Sequence, residues 1–237
     1  MTEKLSSTAR KALGLVSVAT LTTLLMKRGL RNTYIQGALP LNPEGPAMVG
    51  EAYTLRYIPA REDLDHLGVF EDRSHPQRKA VEEIPPGHVM VIDSRKDRRA
   101  ASAGNILITR MKVRGVAGVV TDGGFRDCPD IAKLDFPVYC VAPSAPTNLI
   151  HHHAVDINVP IACADVPVFP GDIVVGDGEG VVVVPRHVAD KVAEEAARMT
   201  LFEDWVETRV RAGASTVGLY PPDAETRAAF EAEMKKR

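Results

Sequence analysis

The chain has 237 residues, 45% of them hydrophobic, so it can bury a full core without disulfides or structural metals. Its 29 basic and 31 acidic residues are spread along the sequence and leave a formal net charge of -2, which argues against a broad basic surface for nucleic acid. Three unpaired cysteines (Cys128, Cys140 and Cys163) and the absence of an export signal or a long apolar run predict a cytoplasmic protein that neither spans nor binds a membrane.

The first third of the chain predicts a helix, a strand and a polar loop, in that order. Ser17 is expected to cap a helix over Val18 to Arg28, in which apolar residues recur at helical spacing. A strand is expected over Met48 to Ile58. The charged residues 61–78, called the covering segment below, are predicted to form a loop able to cover a site and to lead into a short helix near Gln77 to Glu83.

The middle of the chain predicts a βαβ unit. A short apolar run from Val89 to Ile92 is followed by an alanine-rich helical segment from about Ala100 to Arg114, and a second apolar run from Gly118 to Thr121 completes the unit. Because the helix connects the two runs within about thirty residues, the strands are expected to be parallel and adjacent.

The last part of the chain predicts a few more strands and then helices. The expected strands are Val138 to Val141, Asp156 to Ala162, Ile173 to Val175 and Val181 to Pro185. The glycine-rich residues 176–180 predict a tight hairpin between the last two strands. Helices are expected from about His187 to Arg211 and from Asp223 to near Lys236, after the helix-breaking prolines at 221 and 222. No repeat or linker divides the sequence.

The segment whose residues are best suited to binding or catalysis follows the second strand of the βαβ unit. Ligands in α/β sheets collect beyond the carboxyl ends of strands, and two such ends follow Ile92 and Thr121. After Thr121 the chain runs through Asp122 and two glycines to Arg126 and Asp127. A guanidinium binds carboxylate or enolate oxygens bidentately, and a carboxylate holds a hard cation. A structural role remains open, in which Asp127 only caps a short helix and Arg126 is its surface partner.

Five runs of sequence together resemble the RraA-like family, which includes the class II 4-hydroxy-4-methyl-2-oxoglutarate (4-carboxy-4-hydroxy-2-oxoadipate) aldolases. The runs are Ala103 to Leu107, Gly115 to Asp127, Phe136 to Val138, Val168 to Asp172 and Gly180 to Pro185. The resemblance implies a single α/β domain over residues 1–237 with a compact layered β/β/α core like a swivelling phosphohistidine domain. It also implies a C-terminal helical extension, about 187–237, in subunit contacts, and a homotrimer or dimer of trimers with sites at the subunit interfaces.

The resemblance assigns roles to individual residues. Arg126 matches the family arginine that binds the pyruvyl part of the substrate, and Asp127 matches the aspartate that anchors the metal. The family's Gly-x-x-Leu turn, whose backbone N–H groups hold the pyruvate carboxylate, corresponds to Gly104, Asn105, Ile106 and Leu107.

Two further positions concern the metal. Asn105 stands where the family's aldolases usually have an acidic residue, so it keeps an oxygen acceptor but lacks the charge. In the family, a glutamate from a neighbouring subunit completes the outer shell of the metal. Glu203 is the predicted counterpart, with Glu207 as the reserve, and either residue also fits a solvated helix face.

These observations favour a metal-dependent lyase that uses Mg²⁺ or Mn²⁺ to cleave a 4-hydroxy-2-oxo acid and release pyruvate, with oxaloacetate decarboxylation as a side activity. The metal route is preferred because no lysine lies in an apolar setting suited to a Schiff base. The alternative is a non-catalytic regulator that binds a ribonuclease, like other members of the family.

Two polar clusters are candidate pocket residues. The run His151, His152 and His153 lacks further metal ligands at a suitable spacing, so a place in the wall of the substrate pocket is a better interpretation than zinc binding. The second cluster follows the first strand end and fits either a site for a distal substrate carboxylate or a solvated rim. Its members are Asp93, Arg95, Arg98 and Arg99.

Overall fold

The computed structural model describes residues 4–235, over which the chain forms a mixed α/β fold. Its strands are β1 (Leu39–Pro40), β2 (Met48–Pro59), β3 (His88–Asp93), β4 (Ala101–Ala103), β5 (Gly118–Thr121), β6 (Gly124–Phe125), β7 (Val138–Cys140), β8 (Ala142–Pro143), β9 (His152–Ile157), β10 (Ile161–Cys163), β11 (Val166–Val168), β12 (Ile173–Asp177) and β13 (Gly180–Val184). Its α-helices are α1 (Ser7–Leu13), α2 (Val18–Lys27), α3 (Pro76–Glu83), α4 (Asn105–Val113), α5 (Cys128–Ile131), α6 (Arg186–Arg211) and α7 (Ala224–Met234). The predicted end of the last helix, at Lys236, lies outside the described residues.

The main sheet has the strand order β1-β7-β5-β3-β2-β12-β13, and β9 pairs with the second half of β2. Strands β2, β3, β5 and β7 are parallel to their neighbours within this run, whereas the β12–β13 pair is antiparallel. The sheet is nearly closed because β1 contacts β13 at the opposite end of the order. The predicted βαβ unit is confirmed as β3, α4 and β5, and the predicted hairpin is confirmed as β12 and β13.

Alternating side chains of the strands divide the core between the two faces of the sheet. Val89 and Val91 of β3 lie among the residues on the concave side, whereas Met90 and Ile92 pack against the helices α3, α4 and α5. A third cluster packs α1, α2 and α6 against the outward-facing residues of β12 and β13. The helices therefore cover the outside of the sheet, and the apolar run of each strand is buried on both faces.

A second, smaller sheet lies at the carboxyl ends of the parallel strands. Strands β3, β5 and β7 each end, and the chain after each forms one short strand of the parallel β4-β6-β8 sheet. Three buried hydroxyl groups join the two sheets, with oxygen–oxygen distances of 2.6–3.0 Å between Ser94, Ser102 and Thr121. This break places loops and helix starts together beyond β4, β6 and β8.

Two predicted boundaries were wrong. The helix expected from about Ala100 begins only at Asn105, because residues 101–103 pair with β6 as strand β4. The strand expected over Asp156 to Ala162 is two strands, β9 and β10, because Asn158 has a positive φ and Pro160 cannot donate to a ladder. The structure also contains helix α1, which was not predicted.

Within residues 4–235, no single helix is long and apolar enough to cross a bilayer. Helices α1 and α2 meet the length and composition requirement only as a pair, and the chain bends by 113° between them. Leu13, Leu21 and Leu25 of these helices are fully buried in the cluster that they form with α6 and with strands β12 and β13.

Candidate active site

A small pocket lies beyond the carboxyl ends of β4 and β6, where the second sheet meets the start of α4. Its cavity volume is about 110 Å³, well below the roughly 300–1,000 Å³ of pockets that hold drug-sized ligands. The pocket therefore suits a small molecule. Its lining residues are Phe70, Gln77, Arg78, Ala101, Ala103, Gly104, Ile106, Leu107, Arg126, Asp127, Thr147 and Asn148.

Arg126 and Asp127 both line this pocket, directly after β6. The fully buried Phe125 anchors the strand in the core, and the next two side chains are about half exposed. The Arg126 Nε lies 3.7 Å from the Asp127 Oδ2, so the two charges are close without forming a hydrogen bond. Asp127 has a φ of 61°, a left-handed conformation that aspartate tolerates better than most residues.

Asp127 occupies the N-cap position of α5, but its side chain does not cap that helix. The Oδ2 atom accepts a hydrogen bond from the Asn105 backbone N–H instead, at 3.0 Å. The carboxylate therefore connects β6 to the first turn of α4. Its other oxygen, Oδ1, accepts no hydrogen bond from residues 4–235 and is free to bind a ligand.

Gly104 lets the side chains of Arg126 and Asp127 lie against the start of α4. A Cβ at this position would be 2.8 Å from the Arg126 Nε and 2.8 Å from the Asp127 Oδ2, closer than real Cβ contacts. The Leu107 N–H already donates to the Gly104 carbonyl at 3.1 Å, so it is not available in this conformation for the predicted carboxylate contact. Among the described residues nothing accepts from the Ile106 N–H, so this donor of the turn is free to bind a ligand.

Asn105 lies at the first turn of α4, but its side chain does not line the pocket. Its Oδ1 accepts a hydrogen bond from the Thr109 hydroxyl at 3.2 Å, one turn further along the helix. Only its backbone N–H reaches the site, through Asp127.

Asp122 has a structural role at the joint between the two sheets. Its side chain is 1% exposed and accepts hydrogen bonds from the backbone N–H groups of Ser94, Lys96 and Ala164. Burial raises the pKa of this carboxyl above its ordinary value, and these hydrogen bonds act in the opposite direction. Asp122 thereby fixes the turn that precedes Arg126.

One wall of the pocket comes from the covering segment, and its residues were not predicted from the sequence. Arg78 is half-buried, and its guanidinium carbon lies 4.4 Å from the centre of the Phe70 ring. Gln77 is 2% exposed and donates from Nε2 to the Tyr57 hydroxyl and the Ser102 carbonyl. The prediction that this segment covers a site named no residue, because the facing side chains depend on how α3 packs against β4.

The histidine run does not line the pocket, contrary to the prediction. His152 is fully buried, stacks on Tyr57 and lies with Nε2 3.3 Å from the Ala100 carbonyl, and burial lowers its pKa. His153 pairs with Asp65, with 2.9 Å between Nδ1 and Oδ1. The same stretch of chain does reach the pocket, through Thr147 and Asn148.

The charged cluster after β3 also lies outside the pocket. Arg95 donates to the His151 carbonyl, Arg99 pairs with Asp97, and the Asp93 carboxylate accepts from the Arg95 backbone. None of these residues, and not Arg98, is among the pocket-lining residues, so they do not form the predicted site for a distal carboxylate.

Glu203 contacts its own chain on α6. It accepts hydrogen bonds from the hydroxyls of Thr20 on α2 and Tyr220 before α7, at 2.9 and 3.1 Å. Glu207 pairs with Arg211 one turn along the same helix. Neither glutamate lines the pocket of this chain.

Within the described residues, the pocket offers a metal ion one carboxylate, that of Asp127. No group of three or more potential ligands occurs among residues 4–235, so a cage made of side chains is not present in that part of the chain. Mg²⁺ commonly retains several waters and uses only one or two carboxylates. Asp127, with its free Oδ1, is the one carboxylate that lines the pocket in the described structure.

The fold and the pocket define an α/β protein with a nearly closed sheet and a small, positively charged pocket at the carboxyl ends of short parallel strands. The sequence model of the RraA-like family, described as Aldolase/RraA, matches residues 18–183. The chain therefore belongs to the RraA-like family, as the sequence resemblance indicated.

Two relatives with curated names are similar to this chain. A protein of Halalkalibacterium halodurans, provisionally named a 4-hydroxy-4-methyl-2-oxoglutarate aldolase, is 34% identical over 185 residues, which cover 76% of this chain and 80% of that protein. A 4-hydroxy-4-methyl-2-oxoglutarate aldolase of Thermus thermophilus is 29% identical over 120 residues, which cover 51% of this chain and 72% of that protein.

Two solved structures share the fold. Streptomyces coelicolor RraAS2, described as an unusual member of the RNase ES inhibitor RraA family, has a TM-score of 0.75 and 29% identity, over 86% of this chain and 98% of that chain. An uncharacterized protein of Pseudomonas syringae has a TM-score of 0.78 and 21% identity, over 92% of this chain and 99% of that chain. Both aldolases and ribonuclease inhibitors are therefore named among proteins similar to this one.

Proposed function

We propose that this protein is a divalent-metal-dependent lyase that cleaves a 4-hydroxy-2-oxo acid and releases pyruvate, with oxaloacetate decarboxylation as a side activity. The observation that carries the proposal is the meeting of Arg126, Asp127 and the start of α4 in one small pocket. The names of the aldolase relatives support the same class of reaction.

Each group in the pocket has a task in this reaction. The substrate's carboxylate lies at the start of α4, where the free Ile106 N–H and the helix dipole favour an anion. Arg126 uses N–H groups that are not engaged by the described residues to bind the 2-oxo oxygen, and stabilises the negative charge as an enolate develops. Asp127 would hold Mg²⁺ or Mn²⁺, which supplies Lewis-acid polarisation of the 2-oxo group when bound.

The bond changes balance without an external oxidant or reductant. The C3–C4 bond breaks, the 4-hydroxyl loses its proton, and C4 leaves as the carbonyl carbon of an aldehyde or ketone. The electron pair passes to C3 and forms the enolate of pyruvate, which then takes up a proton at C3. In oxaloacetate, loss of CO₂ generates the same enolate, so Arg126 has the same role in both reactions.

The assembly and its setting complete the proposal. The protein forms a homotrimer or a dimer of trimers, in which Glu203 of a neighbouring subunit supports the outer shell of the metal, with Glu207 as the reserve.

We also place the protein in the cytoplasm. In support, Cys128, Cys140 and Cys163 are buried free thiols, and burial raises the pKa of Cys140 to about 12, which keeps it protonated.

The test follows pyruvate release from oxaloacetate and from several 4-hydroxy-2-oxo acids, first with Mg²⁺ and then with a chelator, against a blank without protein. We expect turnover that the chelator abolishes. Arg126→Lys keeps the charge but loses the planar fork, and should lower kcat/KM by about 10²- to 10³-fold. Arg110→Lys is the matched control, because Arg110 pairs with Glu82 on the surface. Absence of turnover with every substrate under both conditions would contradict the proposal.

A second candidate function is supported by the similarity to RraAS2 over most of both chains. In that case the protein is a non-catalytic regulator that binds a ribonuclease and needs no metal. Arg126→Lys separates the two candidates: it should lower pyruvate release if the protein is the lyase, and it should leave inhibition of an RNase E-type endonuclease unchanged if the protein is a regulator in which the pocket has no part.

A further inference from the structure

Two guanidinium groups line the pocket, and neither has an anionic partner that neutralises it fully. Arg126 lies 3.7 Å from Asp127 without a hydrogen bond, and Arg78 makes no ion pair or hydrogen bond with any residue between 4 and 235. With two arginines and one aspartate, the lining residues have a net charge of +1. A half-buried arginine without a counter-ion is unfavourable, so its presence in a pocket points to a ligand that provides the anion.

The positive charges of the two arginines also repel each other. Burial lowers the pKa of Arg78, and the nearby positive charge of Arg126 acts in the same direction. The Arg78 guanidinium stays charged at neutral pH because the ordinary pKa of arginine is far above 7. An anion between or beside the two guanidiniums would relieve this repulsion.

Arg78 is held in position from two sides. The Phe70 ring lies 4.4 Å from its guanidinium carbon, which orients the planar group. The preceding residue, Gln77, is fixed by its hydrogen bonds to Tyr57 and to the carbonyl of Ser102, next to β4. An arginine prepared in this way loses less conformational entropy when it binds a carboxylate.

The wall around Arg78 is polar. Gln77 and Asn148 line the pocket and are 2% and 5% exposed, and the Oε1 atom of Gln77 and the Nδ2 atom of Asn148 have no hydrogen-bond partner within the described part of the chain. The Gln77 amide cannot be flipped, since its Nε2 must donate to the Ser102 carbonyl. Both atoms are buried within the wall, so they make the surroundings of Arg78 polar, which favours a charged ligand group beside it over an apolar one.

We propose that Arg78 determines substrate specificity by binding a second carboxylate, at the far end of a 2-oxo acid whose pyruvyl part is bound beside Arg126. The inference rests on the proposed function for the placement of the pyruvyl part. It names a residue of the covering segment as the group that distinguishes a diacid from a monoacid of the same length.

The test compares the binding of two unreactive ligands by calorimetry, with the full-length protein in the presence of Mg²⁺. The ligands are 2-oxoglutarate and 2-oxopentanoate, which have the same chain length and differ by a carboxylate in place of a methyl group. We expect the wild-type protein to bind the diacid about 10- to 100-fold more tightly, the range of one charge-assisted hydrogen-bonded contact. Arg78→Met should reduce this ratio to nearly one, and Arg78→Lys should keep part of it.

Arg73→Met is the matched control, because Arg73 is an exposed arginine of the same segment and does not line the pocket. It should leave the ratio unchanged. A ratio that stays the same in Arg78→Met, or that falls equally in Arg73→Met, would overturn the inference while the lyase proposal stands. A wild-type protein that prefers the diacid through Arg78 but releases no pyruvate from any substrate would support the role of Arg78 and reject the lyase.

Discussion

Gly104 lies where three parts of the pocket meet: the end of β4, the start of α4 and the Arg126–Asp127 pair. Its φ is -130°, so the backbone itself accepts any residue. What requires glycine is the space beside its Cα, which the Arg126 Nε and the Asp127 Oδ2 occupy. The position therefore offers a way to displace the functional side chains without removing them.

We predict that Gly104→Ala lowers the rate of pyruvate release by about 10²-fold or more, because the new methyl group must move Arg126 and Asp127 from their positions. The fold should persist, which circular dichroism and the urea midpoint would check. Gly178→Ala is the control, since the nearest atom to its added Cβ is 3.8 Å away. Wild-type activity in Gly104→Ala would show that the pair does not act where the structure has it.

The sequence identifies some residues of the pocket and not others, for physical reasons. Arg126 and Asp127 follow a strand end and two glycines, a local pattern that marks them as candidates but leaves a structural role open, and the resemblance to the RraA-like family assigns their functions. Arg78 is surrounded by other charges in the sequence, and only the packing of α3 against β4 turns it towards the pocket. The histidine run looked functional, but His152 is buried against Tyr57.

At the scale of elements, strands with a clear apolar run were predictable even when short, and strands without such a run were not. The βαβ unit and the β12–β13 hairpin follow from runs of Val and Ile between clear breakers. Strand β4 has the sequence Ala-Ser-Ala, which has no strand propensity and exists only because β6 lies beside it. The whole β4-β6-β8 sheet, on which the pocket is built, consists of such short strands.

Helix α7 is attached to the rest of the fold through a small separate core, made of Trp205, Val206, Leu219 and Phe230. We predict that Phe230→Ala, at a position 5% exposed, destabilises this attachment by about 3–5 kcal/mol. Hydrogen exchange should become faster in α7 and remain unchanged in α4. Phe169→Ala, at a position 56% exposed, is the control. Faster exchange throughout the sheet would mean that α7 is part of the main cooperative unit.

For the molecule as a whole, burial of ionisable groups makes stability depend on pH. Burial lowers the pKa of His152 below its ordinary value of 6.5. The unfolded chain therefore binds more protons than the folded protein just below pH 6.5, and the free energy of unfolding rises with pH in that window. Burial raises the pKa of Asp93, Asp122 and Asp172, which has the opposite sign, because there the folded protein holds the proton more tightly.

We predict that the contribution of His152 to stability is complete above about pH 6.5 and is lost as the pH falls below that value. His152→Asn should be less stable overall, since it loses the stacking on Tyr57, but its stability should depend less on pH between 7.5 and 5.5. Urea unfolding at several pH values measures both effects, with the exposed His66→Asn as the control. Equal slopes for wild type and His152→Asn would refute the prediction.

The two walls of the pocket belong to separate stretches of chain, so one wall can change during evolution while the other is kept. Gly104 directly follows β4, and Arg126 and Asp127 directly follow β6, so a change in this stretch of backbone disturbs the small sheet. Phe70 and Arg78 belong to one contiguous stretch between β2 and β3, outside the strand pairing. Exchange of this stretch alone would alter which molecules are accepted, while the reacting groups are inherited intact.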